Sequence, residues 1–168
     1  MPALEKDIDL IRVLAAQKEK ENLRFRIFLK ERDATRIDRL VHRINSEVAK
    51  ELDCTACGNC CAALRPLVTG NEIARLAKLI HTSRAVFIDR YTEHDAEENA
   101  RILKDTPCPF LKERKCIVYD ARPHDCRSFP HIDKDDFIFR TLQMVEHCGV
   151  CPIIYNVLER LKKEFHFR

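Results

Sequence analysis

Four cysteines fall within the eight residues Cys54-Thr55-Ala56-Cys57-Gly58-Asn59-Cys60-Cys61, a C-x-x-C-x-x-C-C run. Thiols this dense must be held by a metal, by disulfides or by redox chemistry, and each of these dictates the backbone around it. Cys108, Cys116, Cys126 and Cys151 follow, with a ninth cysteine at Cys148. Nine is odd, so complete disulfide pairing within one chain is impossible. The stretch Met1 to Asp9 carries Glu5, Asp7 and Asp9 and lacks the basic and apolar regions of a signal peptide. No apolar run approaches the length of a membrane span. We therefore expect a cytoplasmic chain with reduced thiols, in which C-x-x-C clusters bind metal or catalyse.

The 168 residues can bury roughly 70% of their unfolded surface, enough for one folded domain. Charged residues make up 34% and glycines number only 3, which excludes a disordered low-complexity chain. The formal charge of +3 comes from interleaved acids and bases. Nucleic-acid binders of this size cluster their basic residues on one face. Only the tail from Lys162-Lys163 to Arg168 hints at such a face, so neither nucleic acid nor membrane is the expected partner. The sequence names no protein partner.

Residues 4–31 are rich in helix formers and free of Gly and Pro. The polar stretch Gln17 to Asn22 interrupts their apolar pattern, predicting one long helix or two with a soft joint there. Ile37, Leu40, Val41, Ile44, Val48 and Leu52 form one apolar stripe on a helix over 34–52, with Asp33 as N-cap, leading directly into Cys54. Arg65-Pro66-Leu67-Val68 is extended because Arg65 precedes proline. Thr69-Gly70-Asn71-Glu72 fits a capping box for a helix burying Ile73, Leu76, Ala77 and Ile80. Ser83 is placed to cap a short helix holding Val86, Phe87 and Tyr91.

Glu93 to Asn99 is polar and acidic and is predicted to be an exposed loop. Arg101 to Lys104 is strand-like. Prolines exclude helix from Pro107-Cys108-Pro109-Phe110-Leu111, and Cys116-Ile117-Val118-Tyr119 is β-prone, so Cys108 to Tyr119 is expected as a hairpin with a cysteine on each arm. Phe137 to Val145 is predicted helical, offering Phe137, Phe139, Leu142 and Val145 to the core. Cys151-Pro152 starts the last helix, whose buried face holds Ile153, Ile154, Val157, Leu158, Leu161 and Phe165.

Thiolate sulfur favours zinc and iron–sulfur clusters. Cys54, Cys57 and Cys60 match the run that holds three irons of a cubane cluster, whose remote ligand is commonly a Cys-Pro; Cys108-Pro109 and Cys151-Pro152 both offer one. Adjacent side chains diverge, so Cys60 and Cys61 are expected to serve different sites. Eight sulfurs then make two four-ligand sites, with the grouping left open and Cys148 a candidate buried hydrophobe. A thioredoxin-type pair at Cys57 and Cys60 lacks its preceding strand. A nucleophilic Cys126 with His124 as base is weak chemistry between near sequence neighbours, and Arg122, Pro123 and Arg127 read as structural. No glycine-rich phosphate loop exists. His124, His131 and His147 lie near cysteines, as substitute ligands or as outer partners of ligands.

These motifs resemble the CxxCxxCC cysteine-cluster family, described as chelating zinc or iron. The resemblance rests on the run from Cys54 to Cys61, on Thr106-Pro107-Cys108-Pro109-Phe110-Leu111, on Cys116-Ile117-Val118-Tyr119-Asp120-Ala121-Arg122-Pro123, on Cys126-Arg127-Ser128-Phe129-Pro130-His131 and on Cys151-Pro152. It spans about residues 54–155. It implies metal ligation by Cys54, Cys57, Cys60, Cys61, Cys108, Cys116, Cys126 and Cys151, and leaves Cys148 outside the pattern. It settles neither the metal nor any reaction.

The expected fold is mainly α with one or two small β-hairpins, its helices packed around a cysteine-rich, metal-organised centre. A helical N-terminal segment, 1–53, is expected to pack on a cysteine-cluster metal-binding domain, 54–168. The expected function is chelation of zinc or iron by a binding protein rather than an enzyme. Alternatives are an iron–sulfur redox or sensor protein, with a [4Fe–4S] cluster, and a zinc-stabilised adaptor for protein or nucleic acid.

Overall fold

The computed structural model describes residues 3–167; Met1, Pro2 and Arg168, at the ends of the acidic N-terminal stretch and the basic tail, lie outside the described residues. The protein is mainly α with small antiparallel sheets, as its sequence predicts. In chain order the first helices are α1 (Ile8–Gln17), α2 (Glu19–Lys30) and α3 (Ala34–Glu51). The short α4 (Cys54–Cys57) and α5 (Asn59–Ala63) follow, then α6 (Gly70–Leu79), α7 (Arg84–Tyr91) and α8 (His124–Ser128). The chain closes with α9 (Thr141–Glu146) and α10 (Pro152–Glu164). The strands are β1 (Leu67–Val68), β2 (Thr92–Asp95), β3 (Ala100–Leu103), β4 (Leu111–Lys112) and β5 (Lys115–Cys116). Two compact units result: Met1–Asp53 with Pro130–Arg168, and Cys54–Phe129.

In the first unit, the soft joint falls at Lys18, which ends α1 and begins α2 inside the polar stretch. Asp33 caps α3 by accepting the Arg36 N–H at 2.7 Å. The stripe Ile37, Val41, Ile44 and Val48 is buried, while Leu40 and Leu52 are half-buried. Phe25 and Phe28 of α2 meet the rings that follow α10, with centroids 4.9 Å apart for Phe25 and Phe167 and 5.6 Å for Phe28 and Phe165. Lys162 is buried, and its ammonium donates to the carboxylates of Glu21 and Glu159, each at 2.6 Å. One member of the basic tail is thus consumed by the interior.

The segment predicted as helix over Phe137 to Val145 begins as a 3-10 turn, Phe137–Arg140, before α9. The buried carboxylate of Asp38 accepts the N–H groups of Asp136 and Phe137 at 2.8 and 3.0 Å. Anchored this way, Phe137 points inward, and the stripe continues through Ile138, Thr141 and Met144 to Cys148. Phe139 and Leu142, expected in the core, are instead 74% and 44% exposed. Two residues beyond an inward side chain, a helical backbone faces the other way.

In the second unit, Val68, Ile73, Leu76, Ala77, Phe87, Leu103, Phe110 and Val118 form the core, with Cys108 and Cys116 packed against it. The Phe87 and Phe110 rings stack with centroids 6.0 Å apart. The capping box of α6 is complete: the Glu72 N–H donates to Thr69 Oγ1 at 3.3 Å, and the Thr69 N–H donates to Glu72 Oε2 at 2.8 Å. The three-stranded antiparallel sheet runs in the order β1-β3-β2. The acidic stretch expected as a loop is partly strand, because Thr92–Asp95 pairs with Ala100–Leu103. Glu93 and His94 are exposed, so this strand has no apolar alternation to betray it.

The cysteine-bearing hairpin is shorter than expected. Leu111 faces Cys116 and Lys112 faces Lys115, and Glu113 and Arg114 make the turn with φ of 48° and 63°. Two consecutive left-handed residues match the right-handed twist of a tight hairpin. Only Cys116 lies on an arm. Cys108 precedes the hairpin in a turn, its carbonyl accepting the Leu111 N–H at 2.9 Å. Past Cys116 the chain leaves the ladder for a 3-10 turn over Tyr119–Ala121.

Candidate metal centre

The C-x-x-C-x-x-C-C run folds as two helical turns, α4 and α5, hinged at Gly58. Gly58 has φ of +61°, and a Cβ there would stand 2.6 Å from the carbonyl oxygen of Arg114. The Arg114 guanidinium in turn donates to the Cys57 carbonyl at 2.8 Å. Glycine therefore serves twice, giving the left-handed hinge and letting the tip of the β4–β5 hairpin sit against the cysteine run.

Three further hydrogen bonds complete the assembly. The Cys108 N–H donates to the Cys61 carbonyl at 2.9 Å, which ties the proline-rich turn to the end of the run. Near Cys126, Asp125 accepts the Leu67 N–H at 3.0 Å, and the His124 N–H donates to Glu72 Oε1 at 2.6 Å. Short α8 is thereby fixed to the start of β1 and to the capping box of α6.

Cys61, Cys108, Cys116 and Cys126 all belong to the second unit. The thiols are half-buried and their charges act on one another. Burial, with the nearby Cys61 charge, pushes the Cys126 thiol up to about 12. Burial likewise lifts Cys108 to about 11 and raises Cys116. Cys61 moves the other way, to about 7: a hydrogen bond from Cys60 outweighs its burial, helped by a backbone N–H and by Arg122.

Arg122, read from the sequence as structural, is held by Tyr119. Its guanidinium lies 3.6 Å from the Tyr119 ring centroid and donates to the Tyr119 carbonyl at 2.9 Å. Held there, its charge favours the thiolates of both Cys61 and Cys116.

The remaining sulfurs are placed differently. Cys54 is exposed at the start of α4, and Cys57 is half-buried at its end. Cys148 and Cys151 belong to the first unit. Cys151 is buried and is the N-cap of α10, with Pro152 at the first helical position. Cys148 is 2% exposed, and the Asn22 amide points at its sulfur from 3.8 Å. Burial, foremost, pushes the Cys148 thiol up to about 12. His124 lies in the second unit beside Cys126, while His131 and His147 lie in the first.

Among the described residues, no three His, Cys, Asp or Glu side chains converge closely enough to hold a metal ion. The donor set nevertheless suits a soft cation. Several neighbouring half-buried thiols resist ionisation because their negative charges repel and desolvate together, and a thiophilic cation relieves both costs. Closing such a site requires the sulfurs to be drawn inward, which couples binding to local folding.

The sequence profile of the CxxCxxCC family, described as a "putative zinc- or iron-chelating domain", matches residues 53–152. That is more than half of the chain, and the protein belongs to this family. No curated protein and no solved structure matches it.

Proposed function

We propose that this member of the CxxCxxCC family chelates zinc or iron through cysteine thiolates, with Cys54, Cys57, Cys60, Cys61, Cys108, Cys116, Cys126 and Cys151 as donors. One observation carries the reading: all eight of these cysteines fall within residues 53–152, the stretch that matches the CxxCxxCC zinc- or iron-chelating family. Bound as a closed four-thiolate centre, zinc would supply folding free energy. Iron–sulfur clusters would supply electron transfer or oxidant sensing.

The protein's own groups prepare the centre. Gly58 and the hairpin tip set the direction of α4 and α5. The Cys108 N–H fixes the proline-rich turn against Cys61, and Arg122 offsets the negative charge that accumulates as thiols lose their protons. The iron–sulfur reading is favoured specifically by the three-residue spacing of Cys54, Cys57 and Cys60.

Chelator challenge tests the reading. Treating the purified protein with a high-affinity chelator should lower its melting temperature, and adding back zinc or ferrous iron should restore it. A melting temperature indifferent to both treatments would sink the proposal.

A further inference from the structure

We propose that Cys148 and Cys151 are a redox pair, a reversible dithiol–disulfide couple closed across a single turn, in which Cys151 meets the oxidant and Cys148 resolves it. The donor set proposed above leaves Cys148 without a task. The inference stands apart from chelation and needs no bound metal. Where Cys151 also serves as a metal donor, the disulfide takes it out of service.

Cys148-Gly149-Val150-Cys151 is itself a C-x-x-C, set in the turn between α9 and α10. The His147 carbonyl accepts the N–H groups of both Val150 and Cys151 at 3.0 Å, and the Cys148 N–H donates to the Val145 carbonyl at 3.2 Å. These bonds wind residues 147–151 into one helical turn. Residues three apart on such a turn lie on the same side, with Cβ atoms about 5–6 Å apart. A disulfide needs about 3.5–4.5 Å, so a closure of roughly 1–2 Å joins them. Both side chains are buried in the first unit, Cys148 at 2% exposure and Cys151 at 6%.

The setting of Cys148 suits a reacting sulfur better than a packed hydrophobe. Asn22 is buried on α2, and its amide N–H is aimed at the Cys148 Sγ from 3.8 Å. The other end of that amide, Oδ1, has no hydrogen-bond partner among the described residues. An apolar side chain would fill this space without leaving a buried oxygen unpaired. The N–H orients the sulfur and stabilises the charge that develops on it during exchange. Cys151, less deeply buried and at the start of the 13-residue α10, is the sulfur a small oxidant reaches first.

With hydrogen peroxide, the Cys151 sulfur takes one oxygen, giving a sulfenic acid and one water. The Cys148 sulfur then attacks the Cys151 sulfur. The S–S bond forms, the S–O bond breaks, and the departing hydroxide takes the Cys148 proton as a second water. Two thiols give up two electrons and two protons, and peroxide accepts them.

The test uses the full chain, reduced and purified without oxygen, as isolated and after a chelator, with helical content checked in both samples. After hydrogen peroxide, the remaining thiols are alkylated with iodoacetamide in denaturant and the protein is digested with trypsin. Thr141 to Arg160 is one tryptic peptide, and Cys148 and Cys151 are its only cysteines. It should emerge unalkylated and lighter by two hydrogens, more slowly where metal holds Cys151, and dithiothreitol should restore both thiols. Cys148→Ala should abolish closure and leave on Cys151 a sulfenic acid that dimedone traps. Cys151→Ala should leave Cys148 reduced. Both thiols intact in both wild-type samples, a bond from Cys148 to any other cysteine, or closure only in unfolded protein overturns the pair and leaves chelation standing. A chain that closes this bond and never holds metal keeps the pair and overturns chelation alone.

Discussion

The carbonyl oxygen of Arg114 lies 2.6 Å from the point where a Cβ would stand on Gly58, so the hairpin tip and the cysteine run are in contact only because Gly58 has no side chain. Gly58 also carries φ of +61°, which costs other residues about 1–2 kcal/mol. Gly58→Ala combines this strain with a clash against backbone that cannot swing away. For a chain of this size it should lower the melting temperature by roughly 2–8 °C. Arg114→Ala keeps the carbonyl and removes only an exposed hydrogen bond, so its effect should be the smaller. Thermal melts of both variants check this, and a Gly58→Ala protein as stable as wild type would show that the tip does not press on the run.

Glu72 joins two structures through one carboxylate: it closes the capping box with Thr69 and accepts the His124 N–H. Burial alone would raise its pKa, but the Thr69 and His124 N–H groups and the Thr69 hydroxyl bring it below the ordinary value. A depressed carboxylate stabilises the fold above its unfolded pKa, about 4.3, and that stability is lost as pH falls through the folded pKa. Glu72→Gln should therefore be less stable than wild type near neutrality, with the gap narrowing below about pH 4. Denaturant melts across pH measure it; a gap independent of pH would remove the charge from the explanation.

The thiols should differ sharply in reactivity in metal-free, folded protein. Cys61 sits at about 7, whereas Cys126 and Cys148 are pushed up to about 12. Thiolate is the reacting form, so iodoacetamide at about pH 8 should modify Cys61 well before Cys126 or Cys148. Cys148, buried beside Asn22, should label only on unfolding. Peptide mass spectrometry of a labelling time course decides it, and early labelling of Cys148 would contradict its placement.

Thr69 offers a purely local check. Its hydroxyl caps α6, and Thr69→Ala should cost about 1 kcal/mol. Equilibrium denaturation reads this directly, and a neutral substitution would mean that Glu72 and His124 hold the helix start without it.

Much of this was legible in the sequence wherever the signal is local. The stripe of α3, its cap at Asp33, the capping box at Thr69 and the proline start of α10 each declare themselves within a few residues. The strand Thr92–Asp95 does not, because its pairing is with backbone and its exposed side chains are polar. Asp38 gave no sign of its role either, since the N–H groups it accepts lie 98 and 99 residues away. That unseen anchor turned Phe139 and Leu142 outward. At the centre, residue types and spacing pointed to thiolate chemistry. The contact of Gly58 with Arg114 and the bond between the Cys108 N–H and the Cys61 carbonyl depend on how distant segments dock.

The most direct measurement is zinc, iron and acid-labile sulfide content, with an absorption spectrum, on protein purified without oxygen. The account predicts bound metal: colourless protein with stoichiometric zinc, or coloured protein with iron, matching sulfide and a broad visible charge-transfer band. Folded protein carrying neither metal, and taking up neither when supplied, would contradict chelation by this cysteine cluster.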